Sequence, residues 1–178
     1  MPDVKRPALF VFAHQDDEVA YGCMLRNMAN AGRDIRVIWI TDGARFVPAE
    51  VRRGESTANM KRAGISKERL TFWDYPDGGA IRFASEIVER LTMAMREIGP
   101  GEVYAVACEG GHPDHDFAHF AAVKAASAQE KKPPVFEVPC YNKSSCGYAH
   151  STDSSPLRRR LFTHRYPEMI YSSSHALS

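Results

Sequence analysis

Two short stretches combine imidazoles with carboxylates: His14-Gln-Asp-Asp-Glu18 and, far along the chain, His112-Pro-Asp-His115. Two imidazoles and a carboxylate suit a borderline divalent ion, and three protein ligands with an open fourth position are what a hydrolytic zinc site needs. His14, Asp17 and His115 are the expected ligands. Asp16 is then a free carboxylate beside a water that the ion acidifies, placed to take its proton as general base. His112 is a donor to charge developing on the substrate. Asp114 is expected to orient and charge-stabilise His112. His119, four residues after His115, competes as a ligand if both lie on one helix. Taken singly these residues have plainer explanations. Asp16-Asp17-Glu18 suits a helix N-terminus, and Pro113-Asp114 suits a turn. Neither capping nor turn formation calls for histidine in both stretches.

The elements that must carry the two stretches follow from periodicity. Leu9–Ala13 is a continuous apolar run, as a strand covered on both faces should be. A helix is predicted from about Asp17 to a stop at Gly32, a strand over 35–40, a helix over 49–63 and a strand over 70–73. Phe83–Ile98 carries Ile87, Leu91, Met95 and Ile98 at helical spacing. A strand over 102–107, a helix from Asp116 to about 128 and a strand over 135–138 complete the series. Strict alternation gives a doubly wound, mostly parallel α/β sheet, for which 3-2-1-4-5 is the expected strand order. In that order the first and fourth strands are neighbours, and both histidine stretches leave their carboxyl ends, at the switch point where such sheets bind ligands. The expectation is one domain over 1–178, with a core over 7–139 and an irregular closing segment over 140–178, where His150, His164 and His175 read as surface residues.

Composition agrees with one soluble domain of ordinary build. The 178 residues are 44% apolar and 25% charged with a formal net charge of +1, enough for a core and too balanced for a nucleic-acid partner. The Arg158-Arg159-Arg160 cluster reads as a solvated face. No apolar run reaches the roughly 20 residues of a membrane span, and the run before His14 is too short for a secretory signal. The chain is accordingly read as cytoplasmic. Cys23, Cys108, Cys140 and Cys146 show no C-x-x-C spacing and read as reduced thiols with packing roles, a 140–146 bridge being the alternative.

Ala13-His-Gln-Asp-Asp-Glu18 after an apolar strand, with His112-Pro-Asp-His115 further on, resembles the PIG-L/LmbE family of zinc-dependent N-acetylglucosaminyl deacetylases. Thr41-Asp-Gly43 and Arg52-Arg-Gly-Glu55 stand at family-like positions between them, and the resemblance covers about residues 8 to 125. It implies a Rossmann-like fold, one Zn²⁺ per chain on His14, Asp17 and His115 (other divalent ions being alternatives), Asp16 as base, and His112 on the oxyanion or leaving amine. It further implies Arg52 and Asp77 as contacts to the sugar or its appendage, and an N-acetylated sugar conjugate as the small-molecule partner. Three features depart from the family pattern. Gln15 replaces the usual proline, and Gly110-Gly111 stand where some members carry a tyrosine, leaving Tyr141 or Tyr148 for that role. The chain is also shorter than most members.

Two other function classes use similar residues. The facial triad of non-haem Fe(II) enzymes has the same ligand types, but those enzymes commonly use a jelly roll, against the alternation seen here. A non-catalytic module binding a sugar or nucleotide in the same crevice would place phosphates where His14-Gln-Asp-Asp17 places carboxylates.

Overall fold

The computed structural model describes residues 3–140, and the expectations for the segment beyond Cys140, including Tyr141, Cys146, Tyr148 and the three later histidines, lie outside the described residues. Five strands alternate with four helices: β1 (Ala8–Phe12), α1 (Gly22–Asn30), β2 (Ile35–Thr41), α2 (Ala49–Arg62), β3 (Leu70–Tyr75), α3 (Ala84–Ile98), β4 (Glu102–Val106), α4 (Pro113–Ser127) and β5 (Val135–Val138). The strands form one parallel sheet in the order β3-β2-β1-β4-β5, the expected order. Ala8 lies opposite Ile35 on one side and Glu102 on the other, so β1 is the central strand, and all five of its residues are buried.

Helical period explains the packing. Ile87, Leu91 and Met95 of α3 fall on one face and are buried, and α3 packs on α4. On the α4 side, Ala118, Ala121, Ala122 and Ala125 are fully covered, small side chains letting the helix approach β4 and β1 closely. Right-handed crossovers and the change of direction after β3 put α1 and α2 on one face of the sheet and α3 and α4 on the other. Trp39 of β2 is fully buried and stacks on Phe72 of β3 at 4.6 Å, and Phe10 of β1 stacks on Tyr104 of β4 at the same distance.

Two helix starts differ from expectation, both at the site. The chain after β1 does not enter an α-helix at Asp17. It makes a 3-10 turn over Asp17–Tyr21, and α1 begins only at Gly22. The fourth helix starts at Pro113 rather than Asp116, with proline in the first turn where no N–H is needed and the His112 ring accepting from the Asp114 backbone N–H. His115 is therefore a first-turn helix residue, not a loop residue. The thiols of Cys23, Cys108 and Cys140 are free. Among the described cysteines the expected packing role holds for Cys140, which lies against the core, whereas Cys23 and Cys108 are exposed.

Candidate functional site

The two histidine stretches meet beyond the carboxyl ends of β1 and β4. His115 Nε2 lies 3.1 Å from His14 Nδ1 and 3.1 Å from Asp17 Oδ1, and all three side chains are buried. Ligand atoms on a tetrahedral zinc at about 2.0–2.1 Å stand about 3.3 Å apart, so these separations fit one cation. Asp17 is fixed for this role by its other oxygen, which accepts from the backbone N–H of Ala13 and of His14, each at 2.9 Å. The loop that carries the first ligand thus anchors the second.

The far side of the His14 ring is equally constrained. His14 Nε2 lies 3.3 Å from Asp114 Oδ2 and 3.4 Å from Asp77 Oδ1. A proton on Nε2 satisfies both carboxylates and leaves Nδ1 to face the cation, an arrangement that recurs around metal-bound histidines. Asp114 also accepts from the backbone N–H of Gly78 at 2.6 Å and of Ala80 at 3.2 Å, tying the loop after β3 to α4. Its carboxyl is buried, which alone would raise its pKa; the hydrogen bonds from His14, Gly78 and Ala80 outweigh burial and lower it. The Asp114 carboxylate does not orient His112 as expected, though its charge still acts to raise the pKa of that ring. That carboxylate holds His14, and only the Asp114 backbone N–H reaches His112, at Nδ1 and 3.2 Å. Burial and the neighbouring His14 outweigh that charge and push the His112 pKa down.

His14, Asp77 and His112 also stand close enough to share an ion. The buried His14, Asp17 and His115 set is the better fit, because Asp77 and His112 are only half-buried and His14 Nε2 is already engaged by Asp114. Burial alone would lower the His115 pKa; the hydrogen bond and charge of Asp17, with Asp16 and Asp114 behind them, raise it. That concentration of negative charge around a buried imidazole equally suits a cation. His119 does not join either set: its Nδ1 lies 3.1 Å from the carbonyl oxygen of Val106 and 3.7 Å from Glu137.

Asp16 stands apart from the ligands. Its side chain is more than half exposed and pairs with Arg52 of α2, whose Nη2 donates to Oδ2 at 2.6 Å. Burial would lower the Arg52 pKa; the hydrogen bond and charge of Asp16, with Glu55 nearby, raise it instead. Arg52, expected from resemblance to touch the substrate, is thus placed against the expected base. Arg53 pairs with Asp74 on the exposed side of α2. Gln15 lies under Gly43, at φ +60°, where an added Cβ would collide with the Gln15 amide oxygen, while its Nε2 donates to the Thr41 carbonyl at 2.9 Å. Thr41 Oγ1 donates to the Ala13 carbonyl at 2.7 Å, so the Thr-Asp-Gly turn supports the ligand loop from behind.

The Asp114–His14 bond is the support that residue spacing does not reveal, and Asp114→Asn tests it. The amide keeps the shape but weakens acceptance from His14, so metal affinity should fall by roughly 10- to 100-fold, read by competition with a chromogenic chelator.

Comparisons with known proteins converge on this region. The family model described as PIG-L, GlcNAc-PI de-N-acetylase, matches residues 9–126, from β1 to the last residues of α4. The 1D-myo-inositol 2-acetamido-2-deoxy-alpha-D-glucopyranoside deacetylase of Kineococcus radiotolerans is 28% identical over 69% of this chain and 45% of its own. The N,N'-diacetylchitobiose deacetylase of Pyrococcus horikoshii superposes with a TM-score of 0.62 at 22% identity, covering 68% of this chain and 49% of that one. The 4-carboxy-2-hydroxymuconate hydratase of Pseudomonas putida gives a TM-score of 0.67 at 22% identity, over 83% of this chain and 71% of that one. This chain therefore spans about half the length of the two deacetylases, 45% and 49%.

Proposed function

The chain belongs to the PIG-L family of de-N-acetylases, and from that premise we propose that it is a metal-dependent hydrolase removing the acetyl group of an N-acetylglucosamine-type conjugate. The observation that carries the reading is the buried triangle in which His115 Nε2 stands 3.1 Å from both His14 Nδ1 and Asp17 Oδ1. His14, Asp17 and His115 would hold one Zn²⁺ per chain. When bound, the ion polarises the amide carbonyl and makes a water acidic enough to attack near neutral pH.

The remaining chemistry belongs to this chain's own side chains. An amide is a poor electrophile with a poor leaving group, so hydrolysis needs a base, an oxyanion donor and a proton for the departing amine. Arg52 binds one oxygen of Asp16, leaving Oδ1 to accept the proton of the attacking water and return it to the nitrogen as the C–N bond breaks. His112 accepts at Nδ1 from the Asp114 backbone, so its neutral ring carries the proton on Nε2, the atom that can donate to the oxyanion. Asp77, 3.4 Å from His14, and Arg52, bonded to Asp16, stand next to the reacting groups and are read as contacts to the sugar. Among the described residues no helix is long and apolar enough to cross a membrane.

A panel of N-acetylglucosamine conjugates, differing in what the anomeric oxygen carries, tests the proposal. Zinc-loaded protein should release acetate from at least one member, and His112→Ala should slow that release without emptying the site. A fully metallated protein that releases no acetate from any of them would overturn it.

A further inference from the structure

We propose that Glu18 is a positioning residue for the base, one buried carboxylate that fixes both partners of the Asp16–Arg52 pair. Glu18 is 1% exposed, and its two oxygens accept four hydrogen bonds. Its Oε2 accepts from the backbone N–H of Asp16 at 2.9 Å and from Trp39 Nε1 at 3.3 Å. Its Oε1 accepts from Ser56 Oγ at 2.8 Å and Asn59 Nδ2 at 3.1 Å, both on α2. Arg52 lies one helical turn before Ser56 on that helix, and its guanidinium grips Asp16. One side chain thus ties the backbone of the base to the helix that carries the base's partner, with the Trp39 indole as fixed reference in the sheet.

Asp16 needs such a tie. Its backbone sits at φ +123° and ψ −19°, a region that side-chain-bearing residues avoid and that persists only when surrounding contacts impose it. The residue before it is packed under Gly43, and the residue after it is held by the Ala13 and His14 amides. Asp16 itself accepts Arg52 on its side chain and gives its N–H to Glu18. Without the Glu18 acceptor the Asp16 peptide is free to relax toward ordinary φ, swinging the base away from the ligands.

The inference rests on the reading of Asp16 as base, and the test separates the two. Glu18→Ala would strand several buried donors, so Glu18→Gln is the variant to use. A carboxamide offers one acceptor oxygen, which cannot serve both the Asp16 and Trp39 donors and the Asn59 donor. In Glu18→Gln, kcat for acetate release should fall about tenfold or more, since a small misplacement of a catalytic group is costly, with KM within about twofold and metal content unchanged. Hydrogen exchange at the Asp16 amide should accelerate while Phe10 and Val11 in β1 keep their protection. In an Asp16→Asn background the same change should cost nothing further, because the base it positions is gone. A merely structural role would lower turnover by the same factor in both backgrounds; that result, or an unchanged kcat in Glu18→Gln with Asp16→Asn impaired, overturns the inference alone. Normal turnover in Asp16→Asn would overturn the base assignment and the inference with it.

Discussion

Asp16→Asn should lower turnover by roughly 10²-fold or more with zinc content still near one per chain. The amide preserves the shape and can still meet Arg52 through its carbonyl oxygen, but it cannot take a proton. The adjacent aspartate is not equivalent: Asp17 is buried, spends one oxygen on the Ala13 and His14 amides, and points the other at His115. Steady-state kinetics paired with metal analysis separates the two roles. Loss of metal in Asp16→Asn would mean that the adjacent aspartates have been assigned the wrong way round.

His115→Ala should empty the site and abolish activity together, whereas His119→Ala should do neither. His115 sits at the apex of the ligand triangle, so its removal leaves one imidazole and one carboxylate, too few donors to retain zinc against water. The fold should survive, because His115 lies in the first turn of α4 beyond the sheet, and the alanines that pack that helix are farther along it. Circular dichroism with elemental analysis checks both halves. Full metal retention in His115→Ala would remove the proposed ligand set.

The parallel, doubly wound sheet was legible because it follows from alternation: apolar runs short enough to be strands, separated by helical stretches, call for parallel strands joined by right-handed crossovers, whereas the order 3-2-1-4-5 is one of the common orders such sheets adopt. The convergence of His14 and His115 was legible given that order, since each follows a strand that the order makes a neighbour of the other. Partnership among the charged side chains was not. Asp114 stands two residues from His112, yet its carboxylate is directed at His14 and the Gly78 amide. Nearness in sequence suggested the wrong imidazole because a helix's first turn sends successive side chains in different directions.

Glu18 was hidden in the same way. In the sequence it looks like a third acid at a helix start, whereas in the fold it turns inward to Trp39, Ser56 and Asn59, and the chain makes a 3-10 turn there. Neither the +123° φ of Asp16 nor the Arg52 pairing has a signature in residue spacing.

The same sheet serves a chitobiose deacetylase and a muconate hydratase, so the fold does not decide the reaction. The site residues decide it, and their central claim is that amide hydrolysis depends on a cation held by His14, Asp17 and His115. The most direct measurement is acetate release from an N-acetylglucosamine conjugate by one preparation assayed as loaded, after chelation, and after return of stoichiometric Zn²⁺. Release should vanish on chelation and recover with one Zn²⁺ per chain, and His115→Ala should fail to recover. Undiminished release from the metal-free protein would contradict the account.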